Sequence, residues 1–367
     1  MVIYGTDLLS SILPYVHILS SSSSTITTTY CSQCLNLSND LKRCSKCHHI
    51  SYCSISCQRK DWIYHKYECL HLHQISSEYD LTRLFLRLMI RYKKDYGIEE
   101  NSHTKRCLND LKTHDNDIYN DKQRYKTFQL INQYLKLWNL FNDIDEKILF
   151  ELYCRLIINT LTIHDTIDLK SIGYGLYLDA TIYDHSCRPT CHTIFNGIYL
   201  TIRIISNDSN NEWTINYIDL LDTYENRQNL LYNNYYFHCQ CKRCLENNNR
   251  NELILLEKIH YEEQQMDKFI NKNDYLNAYQ SSKNLLNYYD NILPYYHAYV
   301  SLQHIKHLKL ELLLSETISD IILQSTMRNT YERVQISMGE NHPLTQEIRK
   351  LCEQYKLEMS IKQRQIN

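Results

Sequence analysis

The sequence predicts an α+β protein that holds structural zinc. Apolar residues recur at helical spacing over residues 78–160 and again from about residue 252 to the end. Between these regions, β-branched and aromatic residues dominate 197–205 and 213–218, which predicts two strands joined by a polar turn at 207–211. The distribution of cysteine predicts zinc binding, because ten of the 15 cysteines cluster in residues 31–69 and 239–244.

Length, charge and composition narrow the class of protein. A chain of 367 residues predicts two or three folding units. The net charge of −2 argues against binding driven by nucleic-acid phosphates, so that contact is expected to be weak or absent. No apolar run reaches the length of a membrane span, and no Lys or Arg precedes Lys42 as a signal peptide would require. We therefore expect a monomer in the cytoplasm and nucleus, with no membrane partner.

The first cysteine cluster has the spacing of a double zinc site. Its eight ligand-type residues are Cys31-x2-Cys34, Cys44-x2-Cys47, Cys53-x3-Cys57 and His65-x3-Cys69. Eight sulfur or imidazole ligands fill two tetrahedral zinc sites and leave no open coordination position. These ions are therefore expected to be structural, and their binding would supply most of the folding free energy of a segment that has almost no core of its own.

The second cluster supplies three thiolates, Cys239-x-Cys241-x2-Cys244, and needs a fourth ligand. Cys187 is the candidate, because no convincing Cys or His follows the trio. Such a bond would hold the trio against the strand region and would give the chain a third structural zinc ion.

The last third of the chain is predicted to be helical. Helices are expected over 253–266, 274–289, 297–314 and 345–359, and the polar stretch 101–122 is expected to be a loop. Helix pairs of the tetratricopeptide kind and an ordinary helical bundle both fit this pattern, because no clean repeat signature is present.

Two stretches of sequence carry a family resemblance. The run YDHSCRPTC, followed by INYIDLL and the CQCKRC segment, resembles the second half of a SET domain and its post-SET zinc site. Residues 31–69 resemble a MYND finger. The combination is similar to the SMYD family of protein-lysine methyltransferases. It implies a SET-type β core with an inserted MYND finger, a post-SET zinc site and a C-terminal α-helical, TPR-like domain.

The resemblance implies a division of the chain into six parts. These are an N-terminal remnant of the SET domain (1–30), the MYND finger (31–69), a helical insert (70–160), the SET core (161–235), the post-SET site (236–247) and the helical domain (248–367). The family places a glycine-containing cofactor loop before the finger, and this sequence does not contain that loop. We expect an incomplete start, and the alternative is a protein that lost part of its cofactor site.

The resemblance also implies how the metal ligands pair. One zinc ion would be bound by Cys31, Cys34, Cys53 and Cys57, and the other by Cys44, Cys47, His65 and Cys69.

The implied activity is the transfer of a methyl group from S-adenosylmethionine to a lysine of a histone or another protein. Tyr217 matches the catalytic tyrosine, and Tyr235 and Leu161 match positions of the lysine channel. The positions that match cofactor contacts are Asn159, Tyr183, Asp184, His185, Phe237 and His114. Asp184 stands where the family has Asn, and Leu161 stands where some relatives have an aromatic residue.

A rival hypothesis from another class is a catalytically impaired adaptor. MYND fingers of the family bind proline-rich peptides, and arrays of helix pairs bind extended peptides. The expected partners are therefore a protein substrate with a target lysine and, through the finger, proline-rich peptides.

Overall fold

The computed structural model describes residues 3–22, 26, 29–75, 78–98, 102–206, 212–246 and 249–366. Helices and short sheets occur together in this part of the chain, so the predicted α+β class is confirmed. Among the described residues, no helix combines the length and the apolar character that a membrane crossing requires.

The strands are short and form four small sheets. They are β1 (Asp7–Ile12), β2 (Val16–Leu19), β3 (Lys42–Arg43), β4 (Ser51–Tyr52), β5 (Thr160–His164), β6 (Ser171–Leu176), β7 (Asp184–His185), β8 (Cys191–Asn196), β9 (Tyr199–Ile204) and β10 (Thr214–Ile215). Two three-stranded antiparallel sheets have the orders β1-β9-β8 and β2-β6-β5. The strand β10 pairs with β7 in parallel, and β3 pairs with β4.

The helices surround these sheets. Those before β5 are α1 (Ile55–Glu68), α2 (Tyr79–Asp95), α3 (Asp115–Asn120), α4 (Lys122–Leu137) and α5 (Glu146–Asn159). Those after β10 are α6 (Tyr224–Tyr235), α7 (Lys242–Leu245), α8 (Asn249–Asn271), α9 (Tyr275–Ile292), α10 (Ala298–Leu313), α11 (Asp320–Met338) and α12 (Pro343–Ile366). The predicted C-terminal helical region is thus confirmed. Each of its helices packs on the next, from α8 through to α12.

Two differences from the sequence prediction have physical causes. The predicted loop contains the short helix α3, which one fully buried residue, Ile118, anchors to the core. A single anchor gives no periodic signal. The predicted strand at 213–218 ends after Ile215, because the chain bends at Tyr217 and Ile218, where the side-chain amide of Asn216 donates to the Ile218 carbonyl at 3.2 Å. Helix α11 lies within the region that was predicted to be helical, although the sequence analysis gave no bounds for it. The predicted turn at 207–211 lies outside the described residues.

Three buried histidines lie where the first sheet meets the C-terminal helices. His192 on β8 donates from Nε2 to the Ser337 carbonyl of α11 at 2.8 Å. His297 and His342 accept from backbone N–H groups through Nδ1 at the starts of α10 and α12, respectively. Burial lowers the pKa of His192 to about 4, of His297 to about 3 and of His342 to about 4. The three rings are therefore neutral near pH 7.

We expect the stability of this interface to fall as the pH falls from about 6.5 toward 4. The unfolded chain takes up protons near pH 6.5, whereas the folded chain resists them, so acid favours unfolding. At His297 the added proton would occupy the Nδ1 atom that caps α10. At pH 5.5 this histidine alone should cost about 1.4 kcal/mol of unfolding free energy.

The variant His297→Asn tests this expectation, because Asn caps a helix but does not titrate. Urea unfolding at pH 7.5 and 5.5 should show a smaller acid loss in the variant than in the parent chain, by about 1.4 kcal/mol. Replacement of the exposed His260 by Asn is the control and should leave the acid loss unchanged. An equal acid loss in all three proteins would contradict the expectation.

Candidate functional site

The first group of candidate metal ligands is Cys31, Cys34, Cys53 and Cys57, whose sulfur atoms all lie within 4.8 Å of one another. The Sγ atom of Cys53 lies 3.8 Å from that of Cys34 and 3.6 Å from that of Cys57. Helix α1 produces the second contact, because the Ser54 hydroxyl caps it by accepting from the Cys57 N–H. Four sulfur atoms at this spacing fit one tetrahedral zinc ion.

The second group is Cys44, Cys47, His65 and Cys69, again within 4.8 Å. Helix α1 carries His65 and ends at Cys69, which places the two residues one helical turn apart. The Cys44 and Cys69 sulfur atoms lie 3.8 Å apart, and His65 Nε2 lies 3.4 Å from Cys47 Sγ. Both groups match the pairing that the family resemblance implies.

A network of buried charged side chains holds the His65 ring through its Nδ1 atom. The Nδ1 atom of His65 donates to Glu68 at 3.2 Å, which leaves Nε2 directed at the sulfur group. Arg83 and Arg87 of α2 both donate to Glu68, and Arg87 also donates to Asp61 and to the His17 carbonyl of β2. The finger is therefore tied to α2 and to a strand of the core through charged side chains that are almost fully buried.

The third group is Cys187, Cys239, Cys241 and Cys244. The short helix α7 begins after Cys241 and brings Cys244 beside it, and Cys187 Sγ lies 3.6 Å from Cys244 Sγ. The side-chain amide of Gln228 on α6 binds both the N–H and the carbonyl of Cys239, which turns the chain back toward Cys187. The structure thus brings the trio to the residue that the sequence analysis singled out.

The charges around this group suit thiolates bound to zinc. Arg227 and Arg243 share a single carboxylate partner, Glu252, so one positive charge is in excess. Arg243 also donates to the Cys187 carbonyl at 3.1 Å. Four thiolates around one Zn²⁺ carry a net charge of about −2, which this excess positive charge offsets in part.

His185 connects the third group to Tyr217. The Tyr217 N–H donates to His185 Nδ1 at 3.0 Å, so the ring hydrogen lies on Nε2. That Nε2 atom is 3.3 Å from Cys187 Sγ and donates to it. The backbone of Tyr217 is therefore fixed by a ring that also contacts a candidate zinc ligand.

A cavity of about 490 Å³ lies beside Tyr217. Seven residues that the sequence analysis singled out line it: His114, Asn159, Asp184, His185, Tyr217, Tyr235 and Phe237. A second, smaller cavity of about 40 Å³ shares Tyr217 and Tyr235 with the first and is also lined by Leu161. Residues that are up to 123 positions apart in sequence (114 to 237) thus share one site.

The hydroxyl of Tyr217 has a defined orientation. It donates to the Tyr183 carbonyl at 2.6 Å, and its ring centroid lies 5.0 Å from that of Tyr235. Burial raises the pKa of Tyr217, and the negative charge of Asp184 adds to the rise. The hydroxyl therefore stays protonated at neutral pH. Its oxygen keeps lone pairs that can accept a hydrogen bond from another group.

The remaining predicted contacts differ in what their side chains do. Tyr183 is buried in the core beneath the site and offers its carbonyl rather than its ring. Asn159 ends α5 and donates to the carbonyls of Lys112 and Arg155, at 3.0 and 2.8 Å. The ring of His114 packs at 5.4 Å on that of Tyr236.

Comparison with known proteins identifies relatives of this chain. Residues 31–69 match the model of the MYND finger family. The histone-lysine N-methyltransferase SMYD3 of Homo sapiens is 34% identical over 227 residues, which cover 58% of this chain and 51% of that protein. The N-lysine methyltransferase SMYD2-B of Danio rerio is 28% identical over 246 residues, 66% of this chain and 56% of that protein. This chain carries a MYND finger and is similar to the SMYD lysine methyltransferases over about half of their length.

A plant relative gives the same result at similar coverage. The histone-lysine N-methyltransferase ASHR1 of Arabidopsis thaliana is 30% identical over 243 residues, 63% of this chain and 48% of that protein. The chain thus spans about half the length of these curated relatives.

Sequence reasoning missed several residues that line the cavity of this chain. Arg106, Lys112, Thr181 and Ile182 all face it. The two basic residues lie in the polar segment before α3, which the sequence analysis treated as a plain loop. The only available signal was the closeness of these charges to His114 in the chain.

Proposed function

We propose that this chain is an S-adenosylmethionine-dependent protein-lysine N-methyltransferase that acts on a histone or another protein. The main support for this proposal is the cavity that the predicted site residues line together. It is lined by Tyr217, Tyr235 and Phe237 and by His185, whose ring contacts Cys187 of the third sulfur group. A smaller cavity that shares Tyr217 and Tyr235 is lined by Leu161. The named activities of the SMYD relatives support the same reaction class.

The residues of the cavity suit the needs of this reaction. Bound S-adenosylmethionine would supply an electrophilic methyl group on a sulfonium, which an amine displaces in line. A lysine must lose a proton first, and at pH 7 this costs about 4.6 kcal/mol relative to its reference pKa of about 10.4. The aromatic side chains that line the smaller cavity would exclude water and thereby favour the neutral amine.

Tyr217 is the residue that would align the amine. Because its hydroxyl hydrogen is given to the Tyr183 carbonyl, its oxygen can accept an N–H of the lysine amine. Tyr235 packs against the ring of Tyr217 and restricts it. A nucleophile held at one angle reacts faster than a free one, which is the larger part of catalysis in a simple displacement.

The three sulfur groups would have structural roles. Each offers four S or N ligands, so a bound zinc ion would have no open position for a substrate. The third ion would hold Phe237 and Tyr235, the neighbours of Cys239, against the cavity.

The experiment that tests the proposal uses the purified zinc-loaded chain. S-adenosylhomocysteine is titrated by calorimetry, and methyl transfer from tritiated S-adenosylmethionine to core histones and to a cytosolic protein extract is followed, with mass spectrometry to locate the methyl group. We expect saturable binding and label on lysine. Absence of cofactor binding by a chain with its full zinc content would refute the proposal.

That negative result would favour the adaptor hypothesis, provided that recognition survives. Titration of a synthetic proline-rich peptide into the same sample distinguishes the cases. Binding of the peptide without binding of S-adenosylhomocysteine would mark the chain as an adaptor.

A further inference from the structure

The cavity holds one positive charge that forms no close ion pair with a described carboxylate. Three fully charged side chains line it: Arg106, Lys112 and Asp184. Lys112 and Asp184 lie 3.8 Å apart and form an exposed ion pair. Arg106 has no ion pair within 4.0 Å in the described part of the chain, and it donates only to two backbone carbonyls, those of Thr181 at 3.3 Å and Asp110 at 2.9 Å.

Arg106 is partly desolvated in this position. Its Nε atom is buried and has no hydrogen-bond partner among the described residues. A guanidinium that loses water without gaining an anion is unfavourable, so its presence at a cavity wall indicates an anionic ligand group. Carbonyl oxygens occupy only part of its donor set, because each Nη atom carries two hydrogens.

The segment that carries Arg106 is fixed in place by Asp179. This buried carboxylate accepts four hydrogen bonds, from Ser102 Oγ at 2.6 Å, Thr104 Oγ1 at 2.6 Å, Thr104 N at 2.7 Å and His103 N at 3.1 Å. Those bonds lower the pKa of Asp179 despite its burial, so the carboxylate remains charged. A side chain that is positioned before a ligand arrives loses less entropy on binding.

We propose that Arg106 binds the carboxylate of the amino-acid tail of S-adenosylmethionine. This inference rests on the proposed function. The cofactor carries a sulfonium and an ammonium, both positive, and a carboxylate as its one anionic group, so only the carboxylate suits a free guanidinium. Asp184, which stands where the family has Asn, supplies a negative charge that suits the ammonium of the same tail.

The electrostatics near Tyr217 agree with this assignment. Among the charges that act on the Tyr217 hydroxyl, Asp184 raises its pKa more than Arg106 lowers it. A sulfonium bound beside that hydroxyl would therefore lie where the carboxylate of Asp184 has more influence than Arg106.

The test compares two probes that differ in the tail. S-adenosylhomocysteine has the carboxylate, whereas 5′-methylthioadenosine has no amino-acid group. For Arg106→Gln, calorimetry should show S-adenosylhomocysteine binding weakened about 10- to 100-fold, with 5′-methylthioadenosine binding changed less than about threefold. The control Lys105→Gln removes the same charge from the adjacent exposed residue, which does not line the cavity, and should change neither affinity.

The outcomes separate this inference from the proposed function. If the parent chain binds neither probe, the proposed function fails. If the parent chain binds both and Arg106→Gln weakens both equally, or neither, the assignment of Arg106 is wrong while the function stands. Arg106→Lys keeps the charge and should recover most of the lost affinity for S-adenosylhomocysteine. Equal affinities of the Lys and Gln variants would also overturn the assignment.

Discussion

Replacing Cys187 by Ser is expected to remove the third zinc ion and to open the cavity wall. Cys187 is the only member of its group that comes from the strand region, since Cys239, Cys241 and Cys244 follow α6 closely in sequence. A serine hydroxyl is a poor zinc ligand at neutral pH. The variant would therefore leave a trio with no bond to the β7 segment.

The variant is expected to lose a large part of the free energy of zinc binding. Structural zinc sites in small peptides bind with about 10–16 kcal/mol, so the loss of one of four thiolates should cost on the order of 3–4 kcal/mol. This corresponds to a zinc affinity lower by about 10²- to 10³-fold. His185 would lose its sulfur acceptor in the same step, which loosens the ring that fixes the Tyr217 backbone.

The measurement is the zinc content after dialysis against a moderate chelator, together with the thermal unfolding midpoint. We expect about three zinc ions per parent chain and about two in Cys187→Ser. The matched control is Cys191→Ser, which changes a fully buried thiol four residues away that belongs to none of the sulfur groups. Equal zinc contents in both variants would remove Cys187 from the ligand set.

The sequence was sufficient for the fold class and for the composition of the sulfur groups. The ligands of such structural zinc sites are Cys or His at short, fixed spacings. The ligands at 31–69 can therefore be identified from the sequence alone. The fourth ligand of the third group could also be predicted from the sequence, because three thiolates alone leave one coordination position of zinc unfilled. The structure brings the residues named for the cavity to one place, including the distant pair Asn159 and Phe237.

The rest depends on contacts between residues that are far apart in the chain. Asp179 fixes a segment about 75 residues earlier through four hydrogen bonds, and nothing in its local sequence marks it. Arg106 is one of 40 basic residues and gains meaning only from the cavity that it lines. The buried histidines at the helical interface lie in three separate segments. Periodicity and motif spacing report local structure, whereas these features are set by tertiary packing.

The change of Tyr217 to Phe is expected to reduce methyl transfer by about 10²- to 10³-fold, or on the order of 3–4 kcal/mol in the barrier. Phenylalanine keeps the aromatic wall beside Tyr235 but removes the oxygen that would hold the amine. Cofactor binding should change little, because the remaining lining residues are retained. The loss should therefore appear in kcat rather than in the affinity for S-adenosylhomocysteine.

The variant also loses the hydrogen bond to the Tyr183 carbonyl, so its stability must be measured beside its activity. A cost of about 1 kcal/mol of unfolding free energy is expected from that bond, which is too small to unfold the chain. Tyr199→Phe is the control, since Tyr199 lies on β9, is 46% exposed and does not line the cavity. Near-normal turnover by Tyr217→Phe, with zinc content and cofactor affinity intact, would exclude Tyr217 from the reaction. Equal losses in the two variants would show that the effect is not specific to the cavity.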